Sequence, residues 1–224
     1  YRTHTQLDSE IKSTLSLVDK ELSMFDSEST VSRINAGITD SASTYFTEVF
    51  ALSQHISQLS GGVYDPTVGP LTELWGFGRT EIEALPSDSA VASALEAVGI
   101  ADCSVNADGG VTKKSPATVF DFSSIAKGYG VDLIGRMLES KGVNDYMVEI
   151  GGEVLVKGVN PKGRPWRIQI DSPESGAGHQ RLTVVSLGPD RTAIASSGNY
   201  RNFRKSENGD VYGHTLSPIS GRPV

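Results

Sequence analysis

Asp121-Phe-Ser-Ser-Ile-Ala-Lys127 gathers a carboxylate, two hydroxyls and an amine where an apolar stretch runs into a helix. Thr118, Val119 and Phe120 read as strand, Ser123 and Ser124 as a helix start, and Ile125 to Ser140 as an amphipathic helix whose first turn carries Lys127. The first N–H groups of a helix have no partner within it, and beside a lysine they suit phosphate oxygens. Without a ligand, the same residues make a strand–turn–helix unit with a serine cap and a solvated lysine. Asp121 is placed to accept hydrogen bonds from a ligand or to hold a cation through its surroundings, because hard cations take oxygen donors. Asp132, about three helical turns further on, reads as a structural contact.

Proton transfer near neutrality is the province of histidine. Of the histidines at 4, 55, 179 and 214, the first lies near a terminus, the second in a helical pattern and the third in a polar loop. His214 ends a short strand, Val211-Tyr212-Gly213, and leads into the turn-rich Thr215–Val224. It reads either as a base or as a hydrogen-bonded structural histidine. Magnesium, which bridges phosphate oxygens and offsets the charge that grows when a phosphoanhydride breaks, would suit the same chemistry. The serines of Ala195-Ser-Ser-Gly-Asn-Tyr-Arg201 lack the G-x-S-x-G elbow of acyl transfer, and neither common nucleotide-binding glycine motif occurs.

The elements that must hold these residues follow from periodicity. Apolar residues at Ile11, Leu15, Val18 and Leu22 predict a helix over Gln6–Phe25 that packs on a sheet. A second is predicted over Tyr45–Leu59, stopped by Gly61-Gly62, and a third over Asp88–Val98. Between these two helices, Val63–Gly78 is too rich in Gly and Pro to be regular and too apolar to be a linker, and reads as a pocket wall. Alternation then predicts strands at Tyr146–Ile150, Glu153–Lys157, Trp166–Ile170, Leu182–Leu187 and Ala193–Ala195, with a tight turn at Gly151-Gly152. Ser172–Gln180 reads as a polar loop. Helices early and strands late point to α+β.

At 224 residues and 38% hydrophobic, the chain can bury a substantial core, and we expect one domain. A net charge of −7, relieved only by the short Arg201-Asn-Phe-Arg204-Lys205 cluster, argues against nucleic acid. An anionic small molecule therefore needs a local positive pocket or a cation. The single cysteine, Cys103, permits no internal disulfide, and no stretch approaches the roughly 18 apolar residues of a spanning helix.

Six blocks, in order, resemble the ApbE family of FAD:protein FMN transferases: Ser23–Asn35, Gly62–Gly78, Asp121–Asp132, Val148–Glu153, Ser196–Arg201 and His214–Val224. The resemblance implies a single α+β flavin-transferase domain over residues 1–224, with helices packed on a mixed or antiparallel sheet and a T-fold-related architecture. It also implies that segments at both ends, including an Asp and a Thr that bind magnesium, lie outside the chain. The implied reaction is magnesium-dependent transfer of FMN from FAD to a threonine hydroxyl of a partner, with AMP leaving. The implied acceptors are subunits of membrane redox complexes, and the implied location is the periplasmic side of a bacterial inner membrane, with a lipid anchor.

By the same resemblance FAD lies against Phe25, Tyr64, Asp65, Pro66, Thr67, Asp121, Lys127 and Val224. The Ser124 carbonyl is a magnesium ligand, and His214 is the base. Phe25 stands where the family often has Tyr, and Ser217 where many members have Asp. Hydrolysis of FAD to FMN and AMP, and a non-catalytic flavin-binding or assembly module, are the competing expectations.

Overall fold

The computed structural model describes residues 1, 6–79, 82, 84–173, 181–198, 203–205, 209 and 211–224. His4, His179, most of the Ser172–Gln180 loop and the Asn199-Tyr200-Arg201 stretch lie outside the described residues. The architecture is α+β. In chain order come α1 (Asp8–Leu22), α2 (Thr30–Asn35), α3 (Thr44–Leu59), α4 (Gly69–Leu74), α5 (Asp88–Leu95), β1 (Ser104–Val105), β2 (Val111–Thr112) and α6 (Ser123–Ser140). There follow β3 (Tyr146–Ile150), β4 (Glu153–Lys157), β5 (Trp166–Asp171), β6 (Arg181–Leu187), β7 (Thr192–Ile194), β8 (Phe203–Lys205) and β9 (Val211–Gly213). Every strand pairing among the described residues is antiparallel.

Serines open three of the helices. The side chains of Ser29, Ser43 and Ser87 accept the N–H groups of Ser32, Phe46 and Ala90, which the helices themselves leave unpaired. Gly61 and Gly62 end α3 with φ of +64° and +82°, a conformation that costs other residues more. Among the described residues no helix is long and apolar enough to cross a membrane.

The chain forms two compact units, Tyr1–Leu17 with Lys127–Gly198, and Val18–Ala126 with Asn199–Val224. In the first, β3, β4 and β7 pair in the order β3-β4-β7. Alternation along β4 sends Leu155 into a cluster with Val131, Ile134 and Leu138 of α6, while Val154 and Val156 join Trp166, Ile168, Val185 and Leu187 of the β5–β6 pair. Strand β4 is thus covered on both faces, which is why Val154, Leu155 and Val156 are all buried. Each such side chain contributes about 1.5–3 kcal/mol by leaving water. Gly135 lets α6 come down on this sheet, since a Cβ there would stand 2.5 Å from Leu155 Cδ2.

The second unit has an aromatic core of Phe46, Phe50, Phe120 and Phe122, and a separate cluster of Leu71, Trp75, Val91 and Val98 with Phe77, Leu95 and Tyr212 around it. Three expectations are corrected here. The Val63–Gly78 segment holds the short α4, whose Pro70 lies in the first turn where a missing N–H costs nothing. Thr118–Phe120 is not a strand, and Val119 makes a lone parallel bridge to Val68. Helix α6 starts at Ser123, so Lys127 opens its second turn rather than lying in its first.

Candidate active site

The turn that launches α6 is fixed from three sides. Phe120 and Phe122 are both fully buried, and Asp121 between them is half-buried. The amide of Asn35, at the end of α2, brackets the Phe120 backbone: its Oδ1 accepts the Phe120 N–H at 2.8 Å and its Nδ2 donates to the Phe120 carbonyl at 2.8 Å. The Asp121 N–H donates to the Pro66 carbonyl at 2.6 Å, and Asp121 Oδ1 accepts the Ser123 N–H at 2.9 Å. The N–H groups of Ile125 and Ala126 turn back to the Phe122 carbonyl, which leaves the Ser124 N–H of the first turn as the open donor among the described residues. A donor at an exposed helix start beside a carboxylate suits an anion only where a cation or further donors offset the carboxylate.

The Tyr64–Thr67 turn lies against this start through Pro66; Pro66 and Thr67 are buried, and Tyr64 and Asp65 half-buried. Asp65 Oδ1 accepts the Thr67 N–H at 2.8 Å and the Thr67 hydroxyl at 2.6 Å, and Asp65 Oδ2 accepts the Ile100 N–H at 2.9 Å. Thr67 Oγ1 accepts the Gly99 N–H at 2.7 Å, and Thr67 is fully buried. Asp65 and Thr67 therefore hold the turn in place. The Tyr64 hydroxyl is 3.3 Å from Ser53 Oγ. Burial pushes the Cys103 thiol up from its ordinary value.

His214 follows β9 and rests on a second constellation. Its exposed ring meets Phe77 edge to face at 6.3 Å, Phe77 meets Tyr212 at 5.8 Å, and Tyr212 meets Trp75 at 5.7 Å. The Arg204 guanidinium stands 5.8 Å from the Phe77 centroid. The loop after His214 closes on itself: Leu216 bridges Pro223, and the Val224 N–H donates to the Thr215 carbonyl at 3.1 Å. Ser217 Oγ accepts the N–H groups of Ile219 and Ser220 at 3.3 and 3.1 Å, the turn bonds an aspartate carboxylate could also make. Trp75 Nε1 donates to the Gly221 carbonyl at 2.7 Å, and Arg222 pairs with Asp88 at 2.6 Å, so the loop is anchored to α4 and α5.

Phe25 is 80% exposed in the turn between α1 and α2, and Val224 is 72% exposed. Lys127 belongs to the other unit, where its ammonium lies 3.4 Å from Glu153 Oε1 and 3.5 Å from the Gly151 carbonyl. Asp132 makes the structural contact expected of it, 2.6 Å from Arg191. A magnesium ion would meet the Ser124 carbonyl, but that carbonyl also lies in the helical hydrogen-bond ladder of α6. Among the described residues no three His, Cys, Asp or Glu side chains gather to hold a metal.

Direct bonds thus join Pro66, Asp121 and Ser123, whereas His214 and Val224 share one loop and Phe25 stands in another. Asn35 and Phe77 carry structural duties at the site that composition did not reveal, since each depends on a partner distant in sequence. An anionic ligand at the start of α6, with an imidazole available from β9, is an arrangement suited to moving a phosphoryl group.

The ApbE family model matches residues 1–224. FAD:protein FMN transferase of Vibrio cholerae is 36% identical over 222 residues, covering 97% of this chain and 65% of that protein. Its counterpart in Haemophilus influenzae is 34% identical over 231 residues, covering 100% and 65%. The chain thus spans 65% of the length of these curated relatives. Among solved structures, the flavin transferase ApbE from Vibrio cholerae matches all of this chain and 71% of its own, with TM-score 0.84 at 33% identity. The apbe protein from Thermotoga maritima matches all of this chain and 73% of its own, with TM-score 0.85 at 27% identity. With its aromatic-backed α6 turn, its His214 loop and this agreement in sequence and fold over its whole length, the chain belongs to the ApbE family.

Proposed function

We propose that the protein transfers FMN from FAD to a hydroxyl of an acceptor protein. The observation that carries this reading is the α6 start, where Asp121, the Ser124 N–H and the Pro66 backbone form a rigid rim backed by buried aromatics. The relatives' shared name, FAD:protein FMN transferase, supplies the substrate.

In the proposed reaction the diphosphate of FAD lies over the first turn of α6, with Lys127 one turn along the same helix. The acceptor's hydroxyl oxygen, from a threonine, attacks the phosphorus on the FMN side. The new bond is a phosphoester, the bond from that phosphorus to the bridging oxygen breaks, and AMP leaves with the electron pair. His214 takes the hydroxyl proton. Phe25 and the Tyr64–Thr67 turn contact the nucleotide, with Val224 at the edge. Magnesium belongs to the proposal as the cation that offsets the diphosphate charge, with the Ser124 carbonyl among its ligands. Acceptor subunits of membrane redox complexes, a lipid anchor and a periplasmic site of action complete it.

Incubation of the full-length protein with FAD, magnesium and an acceptor subunit tests the reading. Flavin fluorescence that stays with the acceptor on a denaturing gel is the expected result. Free FMN and AMP without labelled acceptor would assign hydrolysis instead, and bound but unchanged FAD would assign a binding module.

A further inference from the structure

The Gly151-Gly152 turn, between β3 and β4, carries a polar arrangement around Lys127 whose other members, Glu149 and Glu153, have no part in the reaction above. Both glycines have positive φ, +57° and +95°, and a Cβ on Gly151 would press within 3.1 Å of Lys127 Cδ. The Gly152 N–H is held by Glu149 Oε1 at 2.7 Å. Lys127 lies across the turn, its ammonium shared between the Gly151 carbonyl at 3.5 Å and Glu153 Oε1 at 3.4 Å. The Lys127 side chain is half exposed at 49%, while that of Glu153 is 15% exposed, and Glu153 Oε2 is buried with no hydrogen-bond partner among the described residues. A buried carboxylate oxygen without a partner is unfavourable, and natural structures keep such groups sparingly.

We propose that Glu153 is a positioning residue for Lys127, fixing its ammonium over the glycine turn so that it meets a phosphate of the flavin dinucleotide already ordered. Both acceptors lie at the long end of hydrogen-bond range, and an ammonium has three donors, so Lys127 is tethered without being used up. A free lysine loses considerable rotamer freedom when it binds a phosphate, and the tether removes part of that loss beforehand. The glycines let the side chain lie close to the backbone, and the charge of Glu153 keeps it there. The inference rests on the flavin reading of the site through Lys127.

The experiment uses the full-length protein and measures FAD affinity by quenching of flavin fluorescence, with thermal unfolding alongside. The variants are Glu153→Ala, Glu153→Gln, Lys127→Ala, and Glu153→Ala combined with Lys127→Ala. Positioning by charge predicts that both single Glu153 variants bind FAD roughly three- to tenfold more weakly. It also predicts that Glu153→Ala adds no further loss once Lys127 is gone. A role in packing alone would be rescued by the isosteric glutamine, so parent-like affinity in Glu153→Gln overturns the inference. Equal losses from Glu153→Ala with and without Lys127 overturn it too, as does tighter binding, which would make the carboxylate a competitor of the phosphate. In each of these outcomes a parent that binds FAD leaves the flavin reading standing. A parent that does not bind FAD removes that reading and the inference together.

Discussion

Asn35 serves Phe120 as a neighbouring strand would, with its amide accepting the N–H and donating to the carbonyl of the same residue, both at 2.8 Å. Phe120 is fully buried, so no water replaces these bonds. Asn35→Ala leaves two buried backbone groups unpaired, at about 2–4 kcal/mol. Asn35→Asp keeps the acceptor but sets a second oxygen against the Phe120 carbonyl, and is expected to be destabilised as well. Chemical denaturation of both variants checks this; wild-type stability in Asn35→Ala would mean the bracket contributes nothing.

The bond from Asp121 to the Ser123 N–H separates two roles of one carboxylate. Asp121→Ala loses a helix-start bond, about 1 kcal/mol, and any contact to ligand. Asp121→Asn keeps the bond, because asparagine caps as well as aspartate, but removes the charge. Thermal unfolding close to wild type in Asp121→Asn, together with altered flavin affinity, assigns the charge to the ligand. Unaltered affinity in both variants limits Asp121 to the turn.

His214 rests on Phe77 at the edge of the second unit, outside the buried core. His214→Ala in the full-length protein is therefore expected to keep its unfolding midpoint and its FAD affinity while turnover falls by about a hundredfold or more. Turnover at the parental rate would end its assignment as the base.

The long, periodic elements were legible in the sequence because their pattern is local. Helix α3 and strands β3 to β6 stand within a residue or two of the ranges that periodicity predicts. The short helices α2 and α4 were not, since six residues hold too little periodicity and Pro70 reads as a breaker. Thr118–Phe120 has a strand's composition, yet its backbone is satisfied by the Asn35 side chain and the Val68 bridge. Local pattern reports burial, not the partner. The same limit applies to Asp65 and Thr67, whose bonds reach Gly99 and Ile100 some thirty residues away and hold the turn in place.

Tyr146 donates its hydroxyl to Glu139 Oε1 at 2.5 Å, within a network where Lys157 and Arg191 also reach Glu139. Burial, then the Glu139 carboxylate, pushes the tyrosine up to about 12. A tyrosine raised from 10 to about 12 favours folding in its protonated form, so its contribution is complete below pH 10 and fades as the pH climbs toward 12. Tyr146→Phe should be less stable than wild type by about 1.5–3 kcal/mol at pH 8, with the gap narrowing above pH 10. Denaturant titrations at both pH values measure the gap; a constant difference would locate the effect in packing alone.

Gly221 links the loop after His214 to the core, and two independent demands meet at it. Its φ is +69°, and a Cβ there would stand 2.6 Å from Val91 Cγ1 and 3.0 Å from Leu95 Cγ. Gly163 shares the first demand without the second, with φ +70° and no atom within 4 Å of where a Cβ would lie. Gly163→Ala should therefore cost only the left-handed conformation, about 1 kcal/mol. Gly221→Ala adds a collision in a packed cluster, for a further 1–3 kcal/mol or so. Its carbonyl also receives the Trp75 Nε1–H at 2.7 Å, so relief by movement of the loop disturbs that bond and the position of His214. Gly221→Ala is expected to lower both the unfolding midpoint and turnover, and Gly163→Ala the midpoint alone. Equal midpoints in the two variants would show that the loop yields freely, and that its anchoring to α4 and α5 does not hold His214 in place.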